Sequence, residues 1–161
     1  MDIELTKRFI DSFHIAKKIP AMMPDLPDHL TPRHIHIMEY VCSAPENGIR
    51  VSEIAGKMHS TMPSITRLVN ELAEKGFVTK QKNQQDRRAC TVHPTEAGRK
   101  LFYIYGTSYH RKLAVLLSEI PEEDMRTTIS VIQRTYTLMH EHPIEKDDLM
   151  EDSEVSSSQS A

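Results

Sequence analysis

A chain of 161 residues with 39% hydrophobic residues is long enough for one domain with helical extensions. No apolar run reaches the length of a membrane span, and the N-terminal sequence lacks the layout of a secretory signal, so we expect a cytoplasmic protein with no membrane partner. The net charge is −3, but residues 144–161 carry six acids and one base, whereas residues 57–100 carry nine bases and four acids.

The first predicted helix covers residues 3–19, where Leu5, Phe9 and Phe13 recur at helical spacing. The proline-rich residues 20–30 predict a stiff connector. Thr31 is the predicted N-cap of a second helix, because Pro32 follows it in the first turn. This helix ends at the turn of residues 44–48, and its predicted inner face contains Ile35, Met38, Val41 and Cys42.

A short helix, a turn and a longer helix come next. Residues 49–51 predict a very short strand, Ser52 is the predicted cap of the short helix, and residues 59–60 form the turn. The longer helix is capped by Ser60 or Thr61, has Pro63 in its first turn and ends at Gly76. Its predicted buried face consists of Met62, Ile65, Leu68, Val69 and Leu72.

Residues 77–81 and 89–92 predict two strands around the polar loop 82–88, which together indicate a β-hairpin. Thr95 is the predicted cap of a long helix that reaches about residue 117. Pro121 opens the last helix, which ends at Pro143 and precedes an acidic, serine-rich tail that we expect to be disordered. Apolar residues at coiled-coil spacing on the last helix favour dimerisation; they are Met125, Ile129, Ile132, Tyr136 and Met139.

The short helix, the turn and the longer helix form a helix-turn-helix pattern inside the basic segment. An α-helix fits the major groove of DNA, and local positive charge favours phosphate contact because counterion release is a local effect. Burial of the apolar face leaves polar side chains on the other side of the longer helix. We expect these residues to contact double-stranded DNA: Thr61, Pro63, Ser64, Thr66, Arg67 and Asn70.

The hairpin that follows predicts a wing. We expect its basic residues Lys82, Arg87 and Arg88 to contact an adjacent minor groove, where narrow A·T segments attract arginine. Asp86 lies beside the two arginines, and we expect it to orient one of them through an ion pair.

Residues 31–101 resemble the MarR family of bacterial regulators. The family pattern is close to D-x-R, five residues, L-T, two residues and G, and here Asp86, Arg88, Thr95 and Gly98 fall in place, while Pro94 stands at the leucine position. The stretches LTPRHIHIMEYV, VSEIAGKM and SITRLVNELAEKGFVTK also look like the family's helices. The resemblance implies a mainly α, winged helix-turn-helix fold in which the N- and C-terminal helices form a dimerisation region.

These observations predict four segments: residues 1–30 as a dimerisation helix and connector, 31–94 as the DNA-binding domain, 95–143 as dimerisation helices, and 144–161 as the tail. The resemblance implies a homodimeric repressor of a palindromic operator that a ligand releases. We expect no cofactor, and the effector to be a small aromatic or phenolic molecule. The candidate effector-binding residues are Met22, Met38, Tyr40 and Tyr103.

Three other interpretations remain open. A metal-responsive regulator would use some of the nine histidines, but His34 and His36 point to different helix faces, as do His140 and His142, so we expect no metal site. A thiol-responsive regulator would use Cys42 or Cys90, of which Cys42 lies on an apolar stripe. A winged-helix adaptor would bind protein, which the basic segment disfavours. An enzyme is not expected, because the chain has no nucleophile motif and no Gly-rich phosphate loop.

Overall fold

The structure is a computed structural model that describes residues 2–82 and 90–149. By their internal contacts the residues form two units, one through Leu113 and the other from Ala114. Helices dominate both, and the described strands form a single three-stranded sheet in the first unit. The predicted mainly α class is therefore confirmed.

Helix α1 spans Ile3–Ala16, and the carboxylate of Asp2 caps it by accepting a hydrogen bond from the backbone N–H of Glu4. The prediction that this helix continues to residue 19 is wrong. A 3₁₀ turn at Ile19–Met22 follows instead, because Pro20 has no N–H to donate and disfavours helical backbone in the residue before it.

Helix α2 spans Pro32–Cys42, strand β1 Ile49–Arg50, helix α3 Val51–Lys57 and helix α4 Met62–Glu74. The backbone of Arg50 occupies the N-cap position of α3, so the prediction that Ser52 caps this helix is wrong. The short strand also ends one residue earlier than predicted. Both differences have one cause: Val51 is buried as the first residue of the helix rather than as the last residue of the strand.

Strands β2 (Val78–Lys82) and β3 (Cys90–Pro94) pair antiparallel, and β1 joins the other edge of β3, which gives the order β1-β3-β2. Val92 lies opposite both Ile49 and Lys80 in this sheet. Strand β3 ends at Pro94, two residues beyond the predicted end at residue 92, and residue 89 lies outside the described residues.

The core of the first unit lies between α2, α3, α4 and the sheet. The side chains of its central residues are all less than 2% exposed; they are Ile37, Met38, Val41, Ile54, Ile65, Val69, Leu72 and Val92. At about 1.5–3 kcal/mol for each large apolar side chain removed from water, this cluster is a main source of the unit's stability. Because residues of α4 belong to this core, the core determines which face of α4 is exposed to solvent.

Helix α5 spans Glu96–Phe102, and the Thr95 hydroxyl caps it by accepting from the backbone N–H of Gly98 at 3.0 Å, as predicted. The single helix predicted from there to residue 117 is interrupted by a π-helical segment at Tyr103–Ser108, after which α6 spans Tyr109–Leu116. Gly106 lies inside that segment, and the ring of Phe102 occupies the space that a Cβ at residue 106 would need. A larger residue at position 106 would therefore force the Phe102 ring to move.

In the second unit, helix α7 spans Glu122–Glu141, with three acids in its first turn that favour the positive end of the helix dipole. None of the residues of this helix is buried in the single chain. The apolar positions predicted to form a packing seam are open to solvent, including Ile129 at 55% and Met139 at 62% exposed.

Candidate nucleic-acid interface

Helix α4 presents one apolar and one polar face. Ile65, Leu68 and Leu72 are buried against the core, as the helical spacing predicts. The opposite face carries the predicted DNA contacts: Thr61, Pro63, Thr66 and Arg67 are exposed, and Ser64 and Asn70 are half-buried. The structure thus brings these six residues together on one helix and its N-terminal turn.

Met62 is a correction to the predicted buried face. Its side chain is 45% exposed, because the first turn of α4 projects past the core. It adds an apolar side chain to the solvent-facing N-terminal end of the helix, among the polar residues expected to approach DNA.

An ion-paired network runs from this surface into the protein. The guanidinium of Arg67 pairs with Glu71 one turn later on α4, through carboxylate oxygen Oε1. The other oxygen of Glu71, Oε2, is 2.9 Å from Nε2 of His34 on α2. In the sequence alone, Glu71 is one of the four acids of residues 57–100, and His34 is a candidate metal ligand for which a surface or capping role is favoured.

The neighbours of His34 determine where its proton lies. The backbone N–H of Thr31 donates to Nδ1 of the ring at 3.0 Å, so Nδ1 accepts and the neutral ring carries its hydrogen on Nε2. That Nε2–H then donates to the Glu71 carboxylate. Thr31 is the N-cap of α2, so one side chain joins the start of α2 to the middle of α4.

The pKa values of this pair follow from burial and charge. Burial lowers the pKa of His34 below its ordinary value of 6.5, although the hydrogen bond and negative charge of Glu71 oppose that shift. For Glu71, desolvation acts to raise the pKa, but the hydrogen bond from His34 and the charge of Arg67 outweigh it and lower the pKa. Near neutral pH the network therefore holds a neutral imidazole and a carboxylate.

Two further contacts join α4 to its surroundings. The ammonium of Lys80 on β2 donates to Oδ1 of Asn70 at 2.7 Å. The guanidinium of Arg33 on α2 donates to the hydroxyl of Ser60, immediately before α4, at 2.9 Å. Both basic side chains thus lie beside the predicted DNA-contacting residues. In the sequence, Lys80 contributes only to the charge of the basic segment, and Arg33 lies outside that segment. Both could have been identified as basic residues in elements that flank the helix-turn-helix.

The predicted wing contacts fall mostly outside the described residues. Arg87, Arg88 and Asp86 belong to residues 83–89, and Lys82 is described only as the last backbone position of β2. The structure describes the base of the wing, where β2 and β3 pair along their whole length.

The four candidate effector-binding residues lie in different environments. Met38 is fully buried in the core, whereas Met22 and Tyr103 are 74% and 56% exposed. Tyr40 lines a cleft of about 540 Å³ that is bounded by the turn after α2, by β1 and by α3. The ammonium of Lys57 lies 5.7 Å from the centre of the Tyr40 ring, within reach of a cation–π interaction.

The metal-responsive and thiol-responsive interpretations depend on the positions of the His, Cys, Asp and Glu side chains. Within residues 2–82 and 90–149, no three His, Cys, Asp or Glu side chains are grouped so that they could hold a metal ion. Cys42 and Cys90 are free and half-buried, and burial raises the pKa of the Cys42 thiol. A raised pKa leaves less thiolate, the reactive form.

No helix in the described part of the chain combines the length and apolar character that crossing a membrane requires.

The helix-turn-helix segment is similar in sequence to a known family. Residues 30–90 match the sequence model of the MarR family. The uncharacterized HTH-type transcriptional regulator YfiV of Bacillus subtilis (strain 168) is 30% identical over 89 residues, a match that covers 53% of this chain and 56% of that protein. The chain therefore spans just over half the length of that relative.

Solved structures of MarR-family proteins have folds similar to that of this chain. A MarR/EmrR family transcriptional regulator from Acinetobacter sp. ADP1 superposes with a TM-score of 0.70 at 16% identity, over 88% of this chain and 99% of that chain. MepR of S. aureus, in a complex with DNA, superposes with a TM-score of 0.64 at 19% identity, over 85% of this chain and 98% of that chain. At these identities the likeness shows the fold, which is the predicted winged helix-turn-helix.

A helix-turn-helix followed by two paired strands, with a polar outward face on its second helix, defines a winged helix-turn-helix protein. Residues 30–90 match the MarR family, and the fold of the chain is the one found in MarR-family regulators of known structure. The proteins it matches are transcriptional regulators and not enzymes, in line with the prediction that the chain is not an enzyme.

Proposed function

We propose that the protein is a sequence-specific transcriptional repressor that binds double-stranded DNA as a homodimer. The observation that carries this proposal is the surface of α4, where a rigid, buried apolar face orients a polar face bearing Arg67 and Asn70 toward solvent. Lys80 and Arg33 lie beside that face and add positive charge. Side chains of these types contact phosphates and base edges.

The proposed operator is an inverted repeat. A two-fold symmetric dimer presents two copies of α4, and each copy meets an equivalent half-site, so the half-sites lie about one helical turn apart, roughly 10 base pairs centre to centre. The exposed apolar positions of α1 and α7 support a homodimer, because a water-soluble monomer rarely leaves apolar stripes of this length uncovered. Arg87 and Arg88 of the wing serve the adjacent minor groove in this arrangement.

The proposed effector is a small aromatic or phenolic molecule that weakens DNA binding. The cleft beside Tyr40 supports it, because its volume of about 540 Å³ is in the usual range for small-ligand sites. Tyr40 offers a ring for stacking, and Arg50 and Lys57 in the same lining offer cations to a carboxylate. Met22, Met38 and Tyr103 do not line this cleft and are not part of the proposed site. Titration with benzoate and salicylate, followed by calorimetry, tests the site, and Tyr40→Ala should weaken the binding of whichever compound binds.

The experiment that tests the main proposal is a selection of genomic DNA fragments with the purified protein, repeated across salt concentrations. We expect one palindromic motif, with affinity that falls as salt rises because phosphate contacts release counterions. If a protein shown to be dimeric enriches no motif at any salt concentration, the proposed DNA-binding function is wrong and the adaptor interpretation is favoured.

A further inference from the structure

The side chains of Arg67, Glu71 and His34 form a line from solvent to core. They are 65%, 33% and 3% exposed, respectively. His34 is the one polar or charged residue among the described residues that is classed as buried. A buried polar ring needs hydrogen-bond partners, and both ring nitrogens of His34 have them: the backbone and hydroxyl of Thr31 at Nδ1, and the Glu71 carboxylate at Nε2.

The anchoring of Glu71 has a direct consequence for Arg67. Oε2 of Glu71 is held at 2.9 Å by a ring that is itself packed in the core, so the carboxylate cannot rotate freely. The other oxygen, Oε1, pairs with the guanidinium of Arg67 on the same helix face. An exposed arginine is normally mobile, but this one is held by a carboxylate whose own position the core determines.

Such an arginine suits a base better than a phosphate. The Glu71 carboxylate offsets the charge of Arg67 and repels a nearby phosphate, so the pair has little net attraction to the DNA backbone. The guanidinium keeps further N–H groups free, in a planar arrangement that matches the O6 and N7 acceptors of guanine. Fixing its orientation beforehand reduces the side-chain entropy lost when the base is bound.

We propose that Arg67 reads a guanine in the major groove, and that Glu71 and His34 are positioning residues that orient its guanidinium. This inference rests on the proposed DNA-binding function and assigns the specificity of one operator position to a three-residue network. It distinguishes Arg67 from Lys80 and Arg33, which donate to neutral partners on Asn70 and Ser60 and keep their full charge for phosphates.

The first test measures which kind of contact Arg67 makes. Fluorescence anisotropy is recorded on the selected operator and on versions in which each G·C pair of the half-site is replaced in turn, over a range of salt concentrations. Arg67→Ala should reduce the preference for guanine at one position by about tenfold or more and leave the salt dependence nearly unchanged. A uniform loss of affinity on all sequences, with a salt slope smaller by about 1, would identify a phosphate contact and overturn the proposal.

The second test separates positioning from charge. Glu71→Gln should release Arg67, so preference for the same base pair should fall about as much as in Arg67→Ala, while binding to unrelated DNA tightens and its salt dependence becomes steeper. Glu74→Gln is the matched control, because it removes the same charge from the same helix. Among the described residues Glu74 has no ion pair. Its variant should keep the base preference. Equal effects of the two substitutions would show that only charge matters and would overturn the positioning role.

The third test asks whether His34 acts through Glu71. Gln has a carbonyl oxygen and an amide N–H₂ at a spacing similar to that of the two ring nitrogens, so His34→Gln can accept from Thr31 and donate to Glu71, whereas His34→Leu can do neither. We expect His34→Gln to keep the base preference and His34→Leu to lose it at the same position as Arg67→Ala. Preservation of the preference in a folded His34→Leu protein, checked by circular dichroism, would contradict the role of His34.

Different results would overturn the proposed function and the positioning role of Glu71 and His34. A dimeric wild-type protein that selects no DNA sequence overturns the proposed function, and this inference with it. A wild-type protein that selects an operator, together with a folded Glu71→Gln variant that still discriminates the same base pair, overturns only the positioning of Arg67.

Discussion

His34 makes the stability of the first unit depend on pH. Burial lowers its pKa in the folded chain, whereas in the unfolded chain the ring returns to its ordinary value of 6.5. Below that value the unfolded chain binds more protons than the folded one. The contribution that the neutral His34 makes to the free energy of unfolding is therefore fully present above about pH 6.5 and decreases as the pH drops. The lowered pKa of Glu71 also makes stability fall toward acid, but its effect begins only below the ordinary value of 4.5. The pH range in which His34 changes the stability, just below pH 6.5, is therefore separate.

We therefore predict that the free energy of unfolding of the wild type, measured with urea between about pH 7.5 and pH 5, decreases more steeply than that of His34→Gln. Glutamine keeps the hydrogen bonds but does not titrate, so the difference between the two curves isolates the histidine. Parallel curves over this range, or a wild type that gains stability toward acid, would show that the ring is not held neutral in the folded protein.

At the scale of elements, the packing of α5 on the strand base depends on Gly98. Its backbone lies so close to Phe77 that an added Cβ would overlap the Phe77 carbonyl oxygen and come within 2.8 Å of Cε of Met38. Gly56, on α3, has nothing within 4 Å of the same position. The two helical glycines can therefore be compared directly, because there is no room for a side chain at Gly98 and there is room for one at Gly56.

Alanine should have opposite effects at the two sites. Gly56→Ala should stabilise the protein by roughly 0.5–1 kcal/mol, the usual gain from replacing glycine in a helix. Gly98→Ala should destabilise it by about 1–3 kcal/mol, because overpacking outweighs that gain. Urea unfolding of both variants measures the difference. A stabilised Gly98→Ala protein would mean that α5 moves away from the strand at little cost, and that the glycine in the family pattern needs another explanation.

The order of elements could be predicted from sequence, whereas several of their ends could not. Helical spacing and caps such as Thr95 depend on a few neighbouring residues, which is why α4 and the cap of α5 were foreseen. The start of α3 at Val51 depends on which side chain reaches the core. The π-helical segment depends on the ring of Phe102 packing at Gly106. Neither packing arrangement is visible in the local pattern.

The candidate site shows the same division. The polar face of α4, including Arg67 and Asn70, follows from helical periodicity alone. Their partners do not: His34 and Glu71 are 37 positions apart, and Lys80 reaches Asn70 from a different element. Sequence reasoning therefore identified the residues that face solvent, and the tertiary structure added the network that orients them.

At the scale of the whole molecule, the apolar stripe of α7 is the clearest sign of a partner. Ile129, Ile132, Tyr136 and Met139 are each more than 40% exposed in the single chain. They recur at coiled-coil spacing, so these four side chains lie on one side of the helix. A second copy of the chain would cover that side by two-fold symmetry and would place two DNA-reading helices on one operator.

Ile129→Asp should therefore convert the proposed dimer to a monomer without unfolding the chain. The side chain is 55% exposed in the isolated chain, so the fold itself loses little, whereas a dimer would bury two symmetry-related carboxylates at a cost of several kcal/mol. Thr127→Asp is the matched control, because it adds the same charge on the opposite side of α7. Sedimentation equilibrium should show a monomer for Ile129→Asp and a dimer for Thr127→Asp, and circular dichroism should show equal helicity. Operator affinity should fall only in the monomer, because one recognition helix contacts one half-site. If both variants remain dimeric, the apolar side of α7 is not the dimer interface.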